Sequence, residues 1–147
     1  MPRVQMQIRS LAIDDYEVIV SLWSRADLPF KPEGRDSRES IAQQMMANPD
    51  FILGAFEDGR LVGAVLLSSD MRKGWINRLA VDPDYRHRGL AKTLIEESER
   101  ILRNHGLKIF CSLIEGPNEA SRALFKKCGY IEHTDITYFS KRDSEAV

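Results

Sequence analysis

An α/β fold, a sheet covered by helices, is predicted by three features of this 147-residue chain. Residues 51–56 and 61–67 are apolar at successive positions, and strands apolar on both faces belong to sheets covered by helices. Residues 89–104 bring Ala91, Leu94, Ile95, Ser98, Ile101 and Leu102 onto one side of a helix. That helix stands between two apolar stretches, 75–81 and 107–114, which is the strand, helix, strand order of a parallel crossover.

Each element has its own local reason. Val4, Met6 and Ile8 alternate with polar residues, the period of a half-buried first strand. Asp14-x-x-Glu17, flanked by Ile13 and Val18, has the pattern of a capping box with a hydrophobic staple, and it starts a helix bearing Ile19, Leu22 and Trp23. Pro29, Pro32 and Gly34 make residues 28–36 a loop. A second helix begins near Ser37, carries Ile41, Met45 and Met46, and stops at Asn48-Pro49-Asp50. The two apolar strands follow, joined at Asp58-Gly59, a pair suited to the positive-φ turn of a tight hairpin. Strand 75–81 and the long helix come next, and Gly106 is placed to cap that helix in the left-handed conformation. After strand 107–114, Pro117-Asn118 opens a last helix that ends at Cys128-Gly129. Residues 130–133 and 137–142 read as two closing strands in a hairpin, and 144–147 as a polar, frayed tail.

Composition narrows the function classes. The length is that of one domain spanning 1–147. A net charge of -1 disfavours a general nucleic-acid binder. No apolar run approaches the roughly 20 residues of a membrane span, and the polar N-terminus has no signal-peptide pattern. Cys111 and Cys128 read as reduced, small buried residues of a cytoplasmic protein. His87, His105 and His133 are too far apart for a metal-ligand pattern, so no metal is expected.

The chemistry concentrates in residues 79–94. An apolar strand ends at Val81, Pro83 turns the chain, and Arg86-His87-Arg88-Gly89-Leu90-Ala91 opens the long helix. The first N–H groups of a helix have no intrahelical partner and lie at the positive end of its dipole, so this is an anion site. Small residues at Gly89 and Ala91 let a ligand approach the backbone. Neither Gly-x-Gly-x-x-Gly nor the Gly-x4-Gly-Lys-Ser/Thr loop occurs.

Arg86-x-x-Gly89-x-Ala91 resembles the acetyl-CoA signature of the GNAT superfamily of N-acetyltransferases, whose pattern is Arg/Gln-x-x-Gly-x-Gly/Ala. The six-residue pattern alone is weak. It gains specificity from the strand before it, the helix after it, and a second family-like segment running from Asn118 through Phe125 to Gly129 and Tyr130. The resemblance covers about 4–142 and is strongest over 61–131. It implies a central mixed, mostly antiparallel sheet with one splayed parallel strand pair and helices on both faces. It further implies acetyl-CoA as co-substrate, wedged between the strand ending at Val81 and the strand 107–114. Backbone of Leu79, Ala80 and Val81 would bond the pantetheine arm, a form of strand addition. The N–H groups of His87, Arg88, Gly89, Leu90 and Ala91, with Arg86 beside them, would hold the pyrophosphate. Asn118 matches a family contact to the cofactor arm and is also a good N-cap. Without the resemblance, Leu79–Val81 reads as ordinary core strand and the Arg86–Ala91 turn as a solvated helix start.

Three positions depart from the family pattern. Phe125 stands where many members carry a tyrosine acid, and a phenylalanine has no proton to donate. Trp75 and Leu113 occupy two positions that often supply a glutamate base. Glu115 and Asp70, near strand ends, are the remaining base candidates, and Tyr138 is a candidate acid. Each also reads as a surface or sheet-edge residue. Arg122, Lys126 and Lys127 add charge that reads as a solvated face. The implied acceptor is a primary amine of a small molecule or of a peptide or protein. Phe30, Trp23 and Trp75 offer it an apolar wall, and Asp36, Glu33 and Asp70 offer it negative charge. A homodimer is compatible with this reading, and neither nucleic acid nor membrane is an expected partner. Two alternatives remain at this stage: a catalytically weak acetyl-CoA sensor of the same fold, and an unrelated binder of phosphate-containing ligands.

Overall fold

The computed structural model describes residues 6–147, so Val4 of the expected first strand lies outside the described residues. Strand β1 is Met6–Ser10. A 3₁₀ turn at Ile13–Asp15 leads into helix α1, Tyr16–Arg25, and helix α2 is Arg38–Ala47. Strands β2 (Ile52–Glu57), β3 (Arg60–Ser69) and β4 (Gly74–Val81) follow. Helix α3 (Leu90–Asn104), strand β5 (Phe110–Cys111) and helix α4 (Glu119–Lys127) complete the order. The sheet runs β1-β2-β3-β4-β5, with three antiparallel pairings and one parallel pair, β4 with β5. It is the mixed, mostly antiparallel sheet that the family resemblance implies.

Apolar side chains on both sheet faces are buried because helices cover both. On one face Leu53, Val65, Leu67 and Ile76 pack with Leu94, Ile95 and Leu102 of α3 and Phe125 of α4. On the other, Ile52, Ala64 and Ala80 pack with Ile19, Leu22 and Trp23 of α1 and Ile41 and Met45 of α2. The hairpin between β2 and β3 turns at Asp58 (φ 50°) and Gly59 (φ 80°), positive at both central positions as expected of Asp-Gly. Ser37 caps α2 by accepting from the Ser40 N–H.

Four expectations need correction. The Asp14–Glu17 box does not form. Asp15 reaches back to the Ala12 N–H at 2.8 Å while pairing with Arg9, and Glu17 bonds Arg38 at 3.0 Å instead. Met46 is exposed, because one step beyond Met45 the helix has turned about 100° away from the core. The strand expected over 107–114 pairs only at Phe110 and Cys111, opposite Gly74 and Trp75. The cause lies in β4. Between Ala80↔Ala64 and Asn77↔Leu66 the pairing advances three residues on β4 against two on β3. That extra residue is a β-bulge at the positive-φ Arg78 (φ 51°), and a bulge bends its strand, here away from β5. Finally, 130–133 and 137–142 form no strand. Each needs a neighbouring edge to satisfy its backbone, and no other strand runs alongside them.

No helix among the described residues is long and apolar enough to cross a membrane.

Candidate functional site

The turn after β4 is built around one buried carboxylate. Asp82 is 1% exposed. Its side chain accepts from the Asp84 N–H (2.9 Å), Arg25 Nε (3.0 Å) and Arg60 Nη2 (3.1 Å). Its own N–H donates to the Val62 carbonyl at 2.8 Å. The end of β4, the end of α1 and the start of β3 are thereby fastened at one point. Pro83–Tyr85 makes a 3₁₀ turn from it, and residues 86–89 carry the chain to α3.

Two left-handed residues aim that connection, His87 (φ 64°) and Gly89 (φ 76°). Gly89 is the N-cap of α3, and no side chain caps the helix. The first intrahelical bond is Thr93 N–H to the Gly89 carbonyl (3.1 Å). The N–H groups of Leu90, Ala91 and Lys92 therefore precede the helix's own ladder. A Cβ built on Gly89 would meet nothing within 4 Å, so the space above the helix start is open. Arg86, His87 and Arg88 are exposed, Ala91 is half-buried, and Leu90 is buried as the helix's first core anchor. Arg88 rests 4.9 Å from the Tyr85 ring centre and 3.9 Å from Glu57, whose Oε2 is buried without a hydrogen-bond partner.

Beside this helix start the sheet is open. Ala80 and Val81 pair with Ala64 and Gly63 on one side, while the other edge of β4 has no strand beyond Trp75. The structure thus brings an unpaired strand edge, Leu79–Val81, to an uncapped helix start, Arg86–Ala91. Asn118 is exposed and its Oδ1 accepts the Ser121 N–H at 3.2 Å, so its capping role is realised. Phe125 is buried, edge-on to Tyr130 at 5.0 Å. The Tyr130 hydroxyl donates to Glu99 at 2.6 Å, and burial together with that carboxylate pushes its pKa far up.

The three candidate proton carriers are not brought together. Asp70 accepts the N–H groups of Arg72 (2.8 Å) and Lys73 (2.6 Å) in a surface turn, and those bonds hold its carboxyl below the usual range. Such a group is a weaker base than an ordinary carboxylate. Glu115 is exposed between β5 and α4, and Tyr138 is exposed in the C-terminal stretch. Burial raises both Cys111 and Cys128 thiols, which argues against thiolate chemistry.

The expected acceptor wall also differs. Trp23 is buried, and the Arg78 guanidinium sits over its ring at 4.2 Å, so it forms a floor rather than an open face. Phe30 lies 6.2 Å from it, ring to ring. Asp36 is buried and holds the Lys31 N–H at 2.8 Å, so it offers no free charge to an amine. Arg78 Nη2 donates to the Pro29 carbonyl at 2.8 Å. Arg78 therefore ties the loop between α1 and α2 to the bulge in β4. Sequence reasoning missed Arg78, Asp82 and Glu57. Only Asp82 left a trace, standing directly before Pro83 at a turn.

Known proteins are similar to this chain in sequence and in fold. The model of the acetyltransferase (GNAT) family matches residues 10–130. An acetyltransferase of Sodalis glossinidius (strain morsitans) is 32% identical over 137 residues, covering 93% of this chain and 95% of the relative. The PaiA N-acetyltransferase of Thermoplasma acidophilum, solved in complex with coenzyme A, superposes with a TM-score of 0.74 at 26% identity, over 89% of this chain and 93% of that one. An aminoglycoside N-acetyltransferase in complex with CoA gives a TM-score of 0.77 at 21% identity, over 97% and 99% of the two chains, a likeness of fold.

Proposed function

The chain belongs to the acetyltransferase (GNAT) family, and from that premise we propose that it moves the acetyl group of acetyl-CoA directly to a primary amine of a small molecule or of a peptide or protein, with residues 1–147 acting as one domain. The observation that carries this reading is the unpaired edge of β4 standing beside the open, uncapped start of α3. An extended polyamide arm fits the first, because a strand edge offers alternating N–H and C=O groups. A pyrophosphate fits the second, because unpaired N–H groups and the helix dipole both favour anions.

When bound, acetyl-CoA supplies the activated thioester; the rest is the work of this chain. Leu79, Ala80 and Val81 hold the arm through their backbone. An N–H on that edge can stabilise the oxyanion of amine attack, a contribution of about 3 kcal/mol where such a donor is removed elsewhere. His87, Arg88, Gly89, Leu90 and Ala91 receive the phosphates, with Arg86 and Arg88 adding charge. Asn118 serves as the cap of α4 and lends its amide side to the cofactor arm. Phe125 supports this wall by packing and gives no proton. We assign protonation of the leaving thiolate to solvent and deprotonation of the amine to water at the open edge, with Glu115 as the carboxylate to test. The lack of a proton donor at Phe125 and of carboxylates at Trp75 and Leu113 favours one second reading, an acetyl-CoA-binding module of low turnover.

Calorimetric titration with acetyl-CoA, with CoA and ATP as controls, tests the site. Micromolar acetyl-CoA binding with weak ATP binding is expected. Equal affinity for ATP, or no binding, would remove the reading of Arg86–Ala91. Thiol release in an amine screen then separates the enzyme from the low-turnover module.

A further inference from the structure

The proposed transfer leaves one charge unused on the α1 and α2 face of the sheet. Arg78 stands at the bulge of β4, directly before the Leu79–Val81 edge, with its backbone held at φ 51°. A non-glycine residue keeps such a conformation at a cost, and residues of this kind gather where a side chain has to be aimed. The guanidinium lies 4.2 Å from the centre of the Trp23 ring, and Nη2 donates to the Pro29 carbonyl at 2.8 Å. Stacking and hydrogen bond together fix its plane before any ligand arrives.

The rest of its hydrogen-bonding capacity is unspent. Nε is buried with no partner, and Nη1 donates to no group among the described residues. Asp36 stands 3.9 Å from Nε, too far for a hydrogen bond, and its other oxygen is taken by the Lys31 N–H. Burial lowers the Arg78 pKa, Asp36 raises it and Arg35 lowers it again, and the net result is below the ordinary value. The protein thus holds a partly desolvated cation without supplying enough counter-charge. The side chain is still 17% exposed, so a ligand can reach it. The group that matches a guanidinium in shape, charge and hydrogen bonding is a carboxylate.

The position suits the acceptor. In the proposed transfer the thioester lies against Leu79–Val81, and α3, whose start receives the phosphates, covers one face of the sheet. The amine then enters from the other face, where Ala80 packs with α1 and where Arg78 meets Trp23. We propose that Arg78 binds a carboxylate of the acceptor, which makes the acceptor a free amino acid rather than a plain amine or the N-terminus of a peptide. A peptide N-terminus carries a neutral amide where the amino acid carries its carboxylate, and returns no charge to the guanidinium. The proposal rests on the acetyl transfer above and narrows its substrate. In that step the C–N bond forms as the C–S bond breaks. The amine gives its proton to water, the thiolate takes one from solvent, and the carboxylate is left unchanged.

The probes are the common amino acids and their carboxamides, each pair differing in the charge at issue, assayed by thiol release with acetyl-CoA. The wild type is expected to favour the carboxylate member of its best pair at least about tenfold in kcat/KM. Arg78→Met keeps an apolar stem against Trp23 without the charge. It is expected to abolish the preference through KM, while acetyl-CoA affinity by calorimetry stays within about threefold. Arg78→Lys should restore part of the preference. Were Arg78 only a tie for the loop, both members of the pair would fall together and their ratio would hold; that result would overturn the proposal, as would a wild type indifferent to the carboxylate. Calorimetry of the CoA-saturated protein with the same probes makes the comparison without turnover. Carboxylate-dependent binding that Arg78→Met loses, with no thiol release, would remove the transfer and keep the anchor. Thiol release with carboxamides alone would remove the anchor and keep the transfer.

Discussion

Asp82 is placed to touch no part of the reaction, yet it sets where β4 delivers the chain to the helix start. Its carboxylate is buried and held by two guanidinium groups and one backbone N–H. Removing a partner from a fully buried ion pair costs about 3–5 kcal/mol. Both arginines here keep contact with water, so Asp82→Asn is expected to cost less, about 2 kcal/mol, read from urea unfolding. The pH dependence has a definite sign. Burial pushes this carboxyl up, but the Asp84 N–H, the Arg25 hydrogen bond and the charges of Arg25 and Arg60 outweigh it, leaving the pKa below its ordinary 3.8. Its stabilisation is therefore complete above about pH 4 and is lost as the pH falls through the lower folded value. The gap between wild type and Asp82→Asn should close over that acid range; a gap constant from pH 7 to pH 3 would show that the charge is not what matters. Its partners were not legible in the sequence, where Asp82 is one of 22 acidic residues and only its place before Pro83 marks it. Arg78 was wholly hidden, because a positive φ at a non-glycine residue inside a strand carries no local signal. Leu79, Gly89 and Asn118, by contrast, stood in a pattern that pointed to them.

Helix α3 is the element on which the proposed chemistry turns, and its two ends of evidence differ. Its buried face was legible because Leu94, Ile95, Ser98, Ile101 and Leu102 repeat at helical spacing, and they are buried. Its start was legible as an anion site through the strand, the short basic turn and the glycine that lead into it. Gly89→Glu tests that start against the plain cost of a side chain at φ 76°. Nothing lies within 4 Å of the new Cβ, so both Gly89→Ala and Gly89→Glu should fold, each with about 1–2 kcal/mol of left-handed strain. Alanine should keep acetyl-CoA affinity within severalfold. Glutamate sets a carboxylate at the proposed pyrophosphate position and should weaken it at least 100-fold by calorimetry. Equal affinities for the two folded variants would mean that the phosphates lie elsewhere. β5 shows the opposite limit. Residues 107–114 have strand composition throughout, yet only two residues pair, because the bend that removes their partner belongs to β4. Pairing is a property of two segments, and one segment's composition does not report it.

At the scale of the whole molecule the same bend divides the sheet. β1 to β4 form a continuous antiparallel unit, while β5 joins it through two residue pairs alone. The order of the elements was legible from periodicity, and the splay was expected only from the family resemblance. The closing hairpin was read from composition that does mark strands, but residues 130–133 and 137–142 pair with no strand of the described chain. A ligand laid along β4 and reaching toward β5 should act as the missing connection between the two parts. Binding to the folded state alone at 100 times the dissociation constant adds about 2.7 kcal/mol. For a chain near 150 residues that corresponds to a rise in Tm of about 5–10 °C. Acetyl-CoA should produce this rise at fixed protein concentration, and ATP at the same concentration should not. Hydrogen exchange locates the effect: amides of Phe110, Cys111 and the free edge of β4 should slow on binding, while those of β1, on the far side of the sheet, should change least. A rise in Tm with no slowing in β5 would mean that the ligand binds without bridging the splay, and the proposed position of the cofactor arm along Leu79–Val81 would be wrong.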